Sequence, residues 1–188
     1  MYIMKIKQII GLGLLLSVIG LGHASITFGI SVDDGDLLPP ALPAGCEQLA
    51  APAGNAVAYR VYASGVQVYR WNGTAWAFVA PEANLFASAN YRGHVGTHYV
   101  GPTWESNSGS LVVSSGTTAI PCTPDATAIP WLRLTAVSSN GPGIFDGVTY
   151  IQRVNTVGGI RPTTPGATVG QEARIPYTTE YYFYKADN

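Results

Sequence analysis

Charge is what this sequence has least of. Of its 188 residues only 11% are Asp, Glu, Lys or Arg, under half the share of about 25% usual in soluble domains. The 10 basic side chains are matched by 11 acidic ones, so the basic footprint of a nucleic-acid binder is missing. Cysteine is nearly absent as well. Cys46 and Cys122 are the only two, too few and too poorly accompanied by histidine for a zinc site. There is no G-x-S-x-G nucleophile elbow. The run Asp33-Asp34-Gly35-Asp36 lacks the remainder of an EF-hand loop and its closing glutamate. Gly11-Leu12-Gly13 stands in an apolar run, without the preceding strand and following helix that a dinucleotide fingerprint needs. Beyond residue 24 no stretch sustains helical periodicity. No metal, cofactor or nucleic-acid partner is expected.

What is present begins with an export signal. Lys5 and Lys7 precede an apolar run over residues 9–21, and Gly22-His23-Ala24 supplies small residues where a signal peptidase cuts. Residues 1–24 therefore read as a cleaved signal peptide. The run is short for a bilayer span, and no cysteine follows it closely for a lipid anchor. The mature chain is expected to be secreted or periplasmic with no membrane span. Losing Lys5 and Lys7 takes the net charge from −1 to −3. In an oxidising compartment Cys46 and Cys122 are expected to form a disulfide; two separate buried thiols are the alternative.

Residues 25–55 read as an irregular arm, because Pro39, Pro40 and Pro43 break both helix and strand. From residue 56 to 188 the pattern is β. Strands are expected over 57–62, 66–71, 74–79, 95–100, 104–106, 111–113, 131–138, 148–156 and 175–185. Asn72-Gly73 suggests a two-residue type I′ hairpin turn, and residues 82–87 a single helical turn. The fold class is all-β: a single-domain antiparallel β-sandwich or barrel of about nine short strands.

Three segments could carry a site. Residues 92–105 are dense in glycine and polar aromatic side chains, where His98 offers a base, Trp104 a stacking face and Glu105 an acid. His94 and His98 would lie about 13 Å apart along a strand, too far for joint metal ligation. In the second segment, strand alternation puts Arg153 and Asn155 on one face. An arginine among apolar neighbours usually has a carboxylate partner, and Glu105 or Glu180 could supply it. In the last strand Tyr177, Thr179, Tyr181 and Phe183 point one way, Glu180, Tyr182 and Tyr184 the other. Such aromatic ladders are mostly packing, with a sugar-stacking platform as the secondary reading. His98, Trp104, Glu105, Arg153 and Asn155, completed by Tyr177, form the expected surface. The same residues would equally serve as an internal polar network that fixes strand register.

Several blocks occur together in order: Gly65-Val66-Gln67-Val68-Tyr69, Trp76-Ala77-Phe78-Val79-Ala80-Pro81-Glu82-Ala83, Gly96-Thr97-His98-Tyr99-Val100-Gly101-Pro102-Thr103-Trp104-Glu105, Ile129-Pro130-Trp131-Leu132, Ile151-Gln152-Arg153-Val154-Asn155-Thr156-Val157-Gly158-Gly159, and Ile175-Pro176-Tyr177-Thr178 with Tyr181-Tyr182-Phe183-Tyr184. Over residues 42–185 the chain resembles a family of secreted bacterial and fungal proteins known only as a domain of unknown function. The resemblance implies no activity. Some fungal members carry a malate dehydrogenase label, which this chain does not support because it lacks a nucleotide-binding βαβ pattern. Many relatives have a cysteine after the first block and another after Gly158-Gly159. Here Arg70-Trp71 and Thr164-Pro165-Gly166 stand in those places, so the family's disulfide pattern does not carry over.

The sequence favours a non-enzymatic secreted β domain that binds a small molecule or a surface polymer such as a saccharide. A hydrolase or lyase using His98 and Glu105, with Arg153 holding an anionic group, is the first alternative. A structural envelope or matrix protein is the second. If the export signal is real, mass spectrometry of exported protein should find the first 24 residues missing, give or take a few, with Ser25 at or near the new N-terminus. Finding Met1 intact on extracellular protein would refute it.

Overall fold

The structure is a computed structural model and describes residues 37–187. The export signal, its cleavage site and the aspartate run fall outside the described residues. Nine strands follow in chain order: β1 (Asn55–Trp71), β2 (Trp76–Phe86), β3 (His94–Tyr99), β4 (Thr103–Ser106), β5 (Leu111–Ser114), β6 (Ile120–Cys122), β7 (Trp131–Asn140), β8 (Val148–Gly158) and β9 (Glu172–Ala186). Every neighbouring pair is antiparallel. The strands run β5-β4-β3-β2-β1-β9-β8-β7-β6, and β5 also pairs with β7. That last pairing closes eight strands into a barrel and leaves β6 as an extra strand beside β7. The all-β expectation holds, and of its two forms, sandwich or barrel, the barrel is the one formed. Among the described residues no helix is long and apolar enough to cross a membrane.

The strand count agrees with the sequence reading, but the strands differ. The two segments expected at 57–62 and 66–71 are one 17-residue strand, β1. Gly65 does not interrupt it; it lets β1 lie against β2, since a Cβ there would sit 2.1 Å from the Glu82 carbonyl oxygen. The helical turn expected at 82–87 is the second half of β2, where exposed Glu82 and Asn84 alternate with buried Ala83 and Leu85. β6 was not expected at all. The β1–β2 turn is not type I′ at Asn72-Gly73. Trp71 pairs with Trp76, Asn72 N donates to Ala75 O, and of the turn residues only Gly73 has positive φ, at 101°. One glycine at the first central position fits the II′ family. The Asn72 side chain accepts from Thr74 N and Ala75 N and so fixes the loop.

Alternation along the strands sets the interior. Val61 and Ala63 of β1, Leu85 of β2, Trp104 of β4, Val112 of β5, Leu134 of β7, Ile151 of β8 and Tyr181 and Phe183 of β9 share one buried cluster. Phe145, from the β7–β8 connection, joins it, its ring 4.7 Å from that of Phe183. Its amide donates to Ser110 Oγ, which anchors that connection to the β4–β5 turn. One end of the barrel is thus stoppered.

The proline-rich arm is pinned to the outer wall. Cys46 is bonded to Cys122 of β6, with the Cα atoms 5.6 Å apart. Leu49 is fully buried, and its carbonyl accepts from Gln152 Nε2 of β8. Ala51 packs on a second cluster of Val154, Tyr182 and Tyr184, which lie on the faces of β8 and β9 turned away from the barrel axis. The described part of the arm is a strap on the barrel wall.

Gly96 of β3 has the tightest inter-strand approach together with Gly65: a Cβ would lie 2.1 Å from Glu105 O and 2.9 Å from the Ser106 Cα. Both obstacles are backbone, so β3 and β4 would have to separate. Gly96→Ala is expected to cost about 1–3 kcal/mol, as overpacking does, read from the shift of the denaturant midpoint. An unchanged midpoint would show that this contact is slack.

Candidate functional site

The stoppered end leaves the opposite end of the barrel unfilled. A cavity of about 340 Å³ lies there, lined by side chains of β1, β2, β3, β4, β7, β8 and β9. Its wall runs from buried His98, Trp104 and Tyr181 to exposed Phe78 and Gly116, so it opens to solvent. The lining is mostly apolar, with Phe78, Ile129, Leu132 and Leu134 among its members. That is the usual make-up of a small-molecule site, a greasy wall with a few placed polar groups.

His98 and Trp104 are cross-strand partners on β3 and β4, and both therefore face inward. Their rings stack at 4.2 Å with planes 10° apart, and Tyr181 meets both edge-on at 5.3 Å. His98 Nδ1 lies 2.8 Å from the Thr103 carbonyl oxygen. A carbonyl only accepts, so Nδ1 carries the proton and Nε2 keeps its lone pair. Burial holds the imidazole pKa down to about 3, and the neutral ring is an acceptor at any physiological pH.

Arg153 enters the cavity from β8. Its Nε and Nη2 donate to the Pro130 carbonyl oxygen at 3.1 and 2.8 Å, and the guanidinium also comes within reach of the Tyr181 hydroxyl. No carboxylate pairs with it there; the ion pairs among the described residues are Arg70–Glu172 and Arg174–Glu82. Its charge reaches His98 and the Tyr69, Tyr177 and Tyr181 hydroxyls. Burial raises the pKa of all three tyrosines, and the arginine opposes the shift in each.

Gln67, Trp104 and Tyr181 help to line this cavity, and their Nε2, Nε1 and OH groups are buried in its wall without a hydrogen-bond partner. Tyr177 is close by, beside Tyr181 and Gln67, and its hydroxyl too reaches no partner within bonding geometry. Native interiors rarely leave such groups unpaired. Here they gather around one space.

Of the residues expected to converge, His98, Trp104 and Arg153 do, with Tyr177 behind them. Glu105 and Asn155 do not. Glu105 pairs with Thr97, one residue out of phase with inward-facing Trp104. Its carboxylate accepts instead from Tyr99 OH at 2.7 Å. Asn155 loses the phase it would share with Arg153 because the β8–β9 register shifts after Val154. It takes up φ 52°, which asparagine tolerates, and its exposed side chain donates to Glu180 Oε1. The bulge re-aims it. The tyrosine ladder of β9 is no sugar platform, since Tyr177, Tyr181, Tyr182 and Tyr184 are all at most 5% exposed. Gln67, Tyr69 and Tyr181 were not read as site residues. The readable signal was Gln67, a polar residue in phase with Val61, Ala63 and Tyr69 on the buried face of β1. Among the described residues no group of three or more His, Cys, Asp or Glu side chains gathers as a metal site would require.

Fold and cavity define an antiparallel β-barrel with one polar-aromatic pocket at its open end. Residues 52–185 match the family described as a protein of unknown function, DUF3455, and the chain belongs to that family. No curated protein and no solved structure matches it.

The depressed His98 pKa has a consequence for stability. Its folded value, about 3, lies below the ordinary 6.5, so the unfolded chain binds the extra proton between those limits. His98 therefore withholds no stability above pH 6.5 and withdraws it as pH falls toward 3, by about 1.4 kcal/mol per unit. Urea denaturation at pH 7, 5.5 and 4 should give a shallower pH slope for His98→Asn, whose amide can still donate to Thr103 O. Parallel slopes would mean that His98 titrates in the folded barrel as it does in the unfolded chain.

Proposed function

We propose that the protein is an exported, non-enzymatic binding barrel that admits one small, largely apolar molecule to its open-end cavity. One observation carries this reading: Gln67, Trp104 and Tyr181, each with a buried polar group that lacks a partner, all stand in the wall of the same open-ended cavity. Leaving a buried polar group unpaired costs about 1–3 kcal/mol. A chain that leaves several at one place has kept them for something that enters. The Cys46–Cys122 bond supports an oxidising compartment, secreted or periplasmic. The arrangement of domains proposed with it is a signal peptide over residues 1–24, an arm to residue 55 and the barrel beyond.

The geometry gives less support to the catalytic alternative. His98 and Glu105 lie on opposite faces of the sheet, so the base has no acid beside it. The imidazole's low pKa makes it a weak proton acceptor, far from the value near the working pH that general-base catalysis favours. A surface polymer is less well supported too, because the aromatic ladder is internal.

Titrating labelled protein with benzyl alcohol tests the reading by NMR. The Trp104 indole N–H signal should move and saturate along with signals from His98 and Tyr181. Ala119→Trp, which places bulk at the partly buried rim, should abolish those shifts while the fold persists. Shifts spread over the surface, or identical titrations in the variant, would refute binding in the cavity.

A further inference from the structure

We propose that the occupant is a small monocarboxylate with an apolar body, its carboxylate held by Arg153. The inference rests on the reading of the cavity as a binding site and adds the chemistry of the ligand's head group.

The first argument is charge. The Arg153 guanidinium is half-buried in the cavity wall, its neighbours there are neutral (the Pro130 carbonyl and the Tyr181 hydroxyl), and no carboxylate among the described residues neutralises it. A cation in so apolar a setting is costly without a counter-charge. The two acidic groups that alternation might have sent inward, Glu105 and Glu180, are engaged outside the barrel, by Tyr99 and by Asn155 and Tyr182. The compensating charge has to come with the ligand.

The second argument is the balance of donors and acceptors. The Arg153 guanidinium in the lining can only donate. Against it the lining side chains offer the neutral acceptors His98 Nε2 and Gln67 Oε1. A ligand suited to this wall is rich in acceptor oxygens. Carboxylate fits better than phosphate on charge, because Arg153 is the sole cation in the cavity lining and matches one negative charge. A planar carboxylate also meets the guanidinium fork edge to edge. Arg161 lies exposed beyond it, close enough to act on the Tyr69 hydroxyl, and favours the approach of an anion to the mouth.

The third argument is the remainder of the wall. Phe78, Pro81, Ile129, Leu132, Leu134 and the Tyr181 ring offer nothing to a polyol, so the rest of the ligand is aliphatic or aromatic. The cavity of about 340 Å³ is comparable to the liquid volume of about eleven waters, which suits an acid of about a dozen heavy atoms.

Isothermal titration of the full mature protein with 3-phenylpropanoate, 3-phenylpropan-1-ol and benzyl phosphate decides the matter. The carboxylate should bind at least tenfold more tightly than the alcohol and more tightly than the phosphate. In Arg153→Gln the carboxylate should fall to the alcohol's affinity while the alcohol is unchanged. Equal affinities of acid and alcohol in the wild type would overturn the head-group assignment and leave the cavity reading standing, as would tighter binding of the phosphate. A carboxylate preference that survives Arg153→Gln would overturn the role of Arg153. No binding of any of the three would overturn the cavity reading itself, and the proposal with it. Should Arg153→Gln fail to fold, the wild-type comparison of acid with alcohol still decides for or against the carboxylate.

Discussion

The pairing of β5 with β7 makes all the rest possible. Without it the eight strands would be an open sheet with unpaired edges, each a template for aggregation, and the inward faces would have nothing to pack against. With it, alternate residues of every strand are committed to one shared interior. An eight-stranded barrel is just wide enough for side chains to fill or for one small ligand to enter. Here the two outcomes divide the length of the barrel. Phe145 and Phe183 fill one part, while Gln67, His98, Trp104, Arg153 and Tyr181 line the part left open.

That division is energetic as well as geometric. Apolar burial of large rings stabilises strongly, on the order of 25 cal/mol per Å², and the stoppered half consists of little else. The open half holds a neutral histidine, an arginine without a carboxylate and several unpaired hydrogen-bonding groups, each of which costs stability. The strap on the outer wall works against that loss. Its disulfide closes a loop of 76 residues, which disfavours the unfolded chain by a few kcal/mol on the chain-entropy account. It also covers Val154, Tyr182 and Tyr184, which would otherwise be exposed apolar surface on β8 and β9. A barrel braced from outside tolerates a poorly satisfied interior.

Much of this was legible in the sequence, and the limits have physical causes. The strands over 131–138, 148–156 and 175–185 were plain because apolar residues recur there at period two, and the inward set on the last strand, Tyr177, Thr179, Tyr181 and Phe183, was read correctly. The disulfide followed from compartment and count. What failed was register. Alternation assigns faces only within an unbroken strand, and the bulge after Val154 reverses the phase at Asn155. Glu105 was misplaced for another reason: its neighbour Trp104 is the inward residue, and only one of two adjacent strand residues can be. β6 could not be seen because three residues containing Pro121 carry no periodic signal and pair only at an edge, where proline is allowed. The split of β1 at Gly65 came from reading glycine as a breaker, when it marks a close approach of backbones.

The residues that converge share a property that those left outside lack. His98, Trp104, Arg153, Gln67 and Tyr181 stand on five different strands, each with hydrogen-bonded neighbours on both sides. Their positions are set by the barrel and not by loops, so the cavity is preorganised and a ligand need not order it on arrival. Preorganisation lowers the entropic cost of binding. It also explains why so few polar groups suffice. On a mobile loop an unpaired arginine would fold back onto the nearest carbonyl or carboxylate; on a central strand of a closed barrel it reaches the Pro130 carbonyl and the Tyr181 hydroxyl, with no carboxylate among the described residues paired to it.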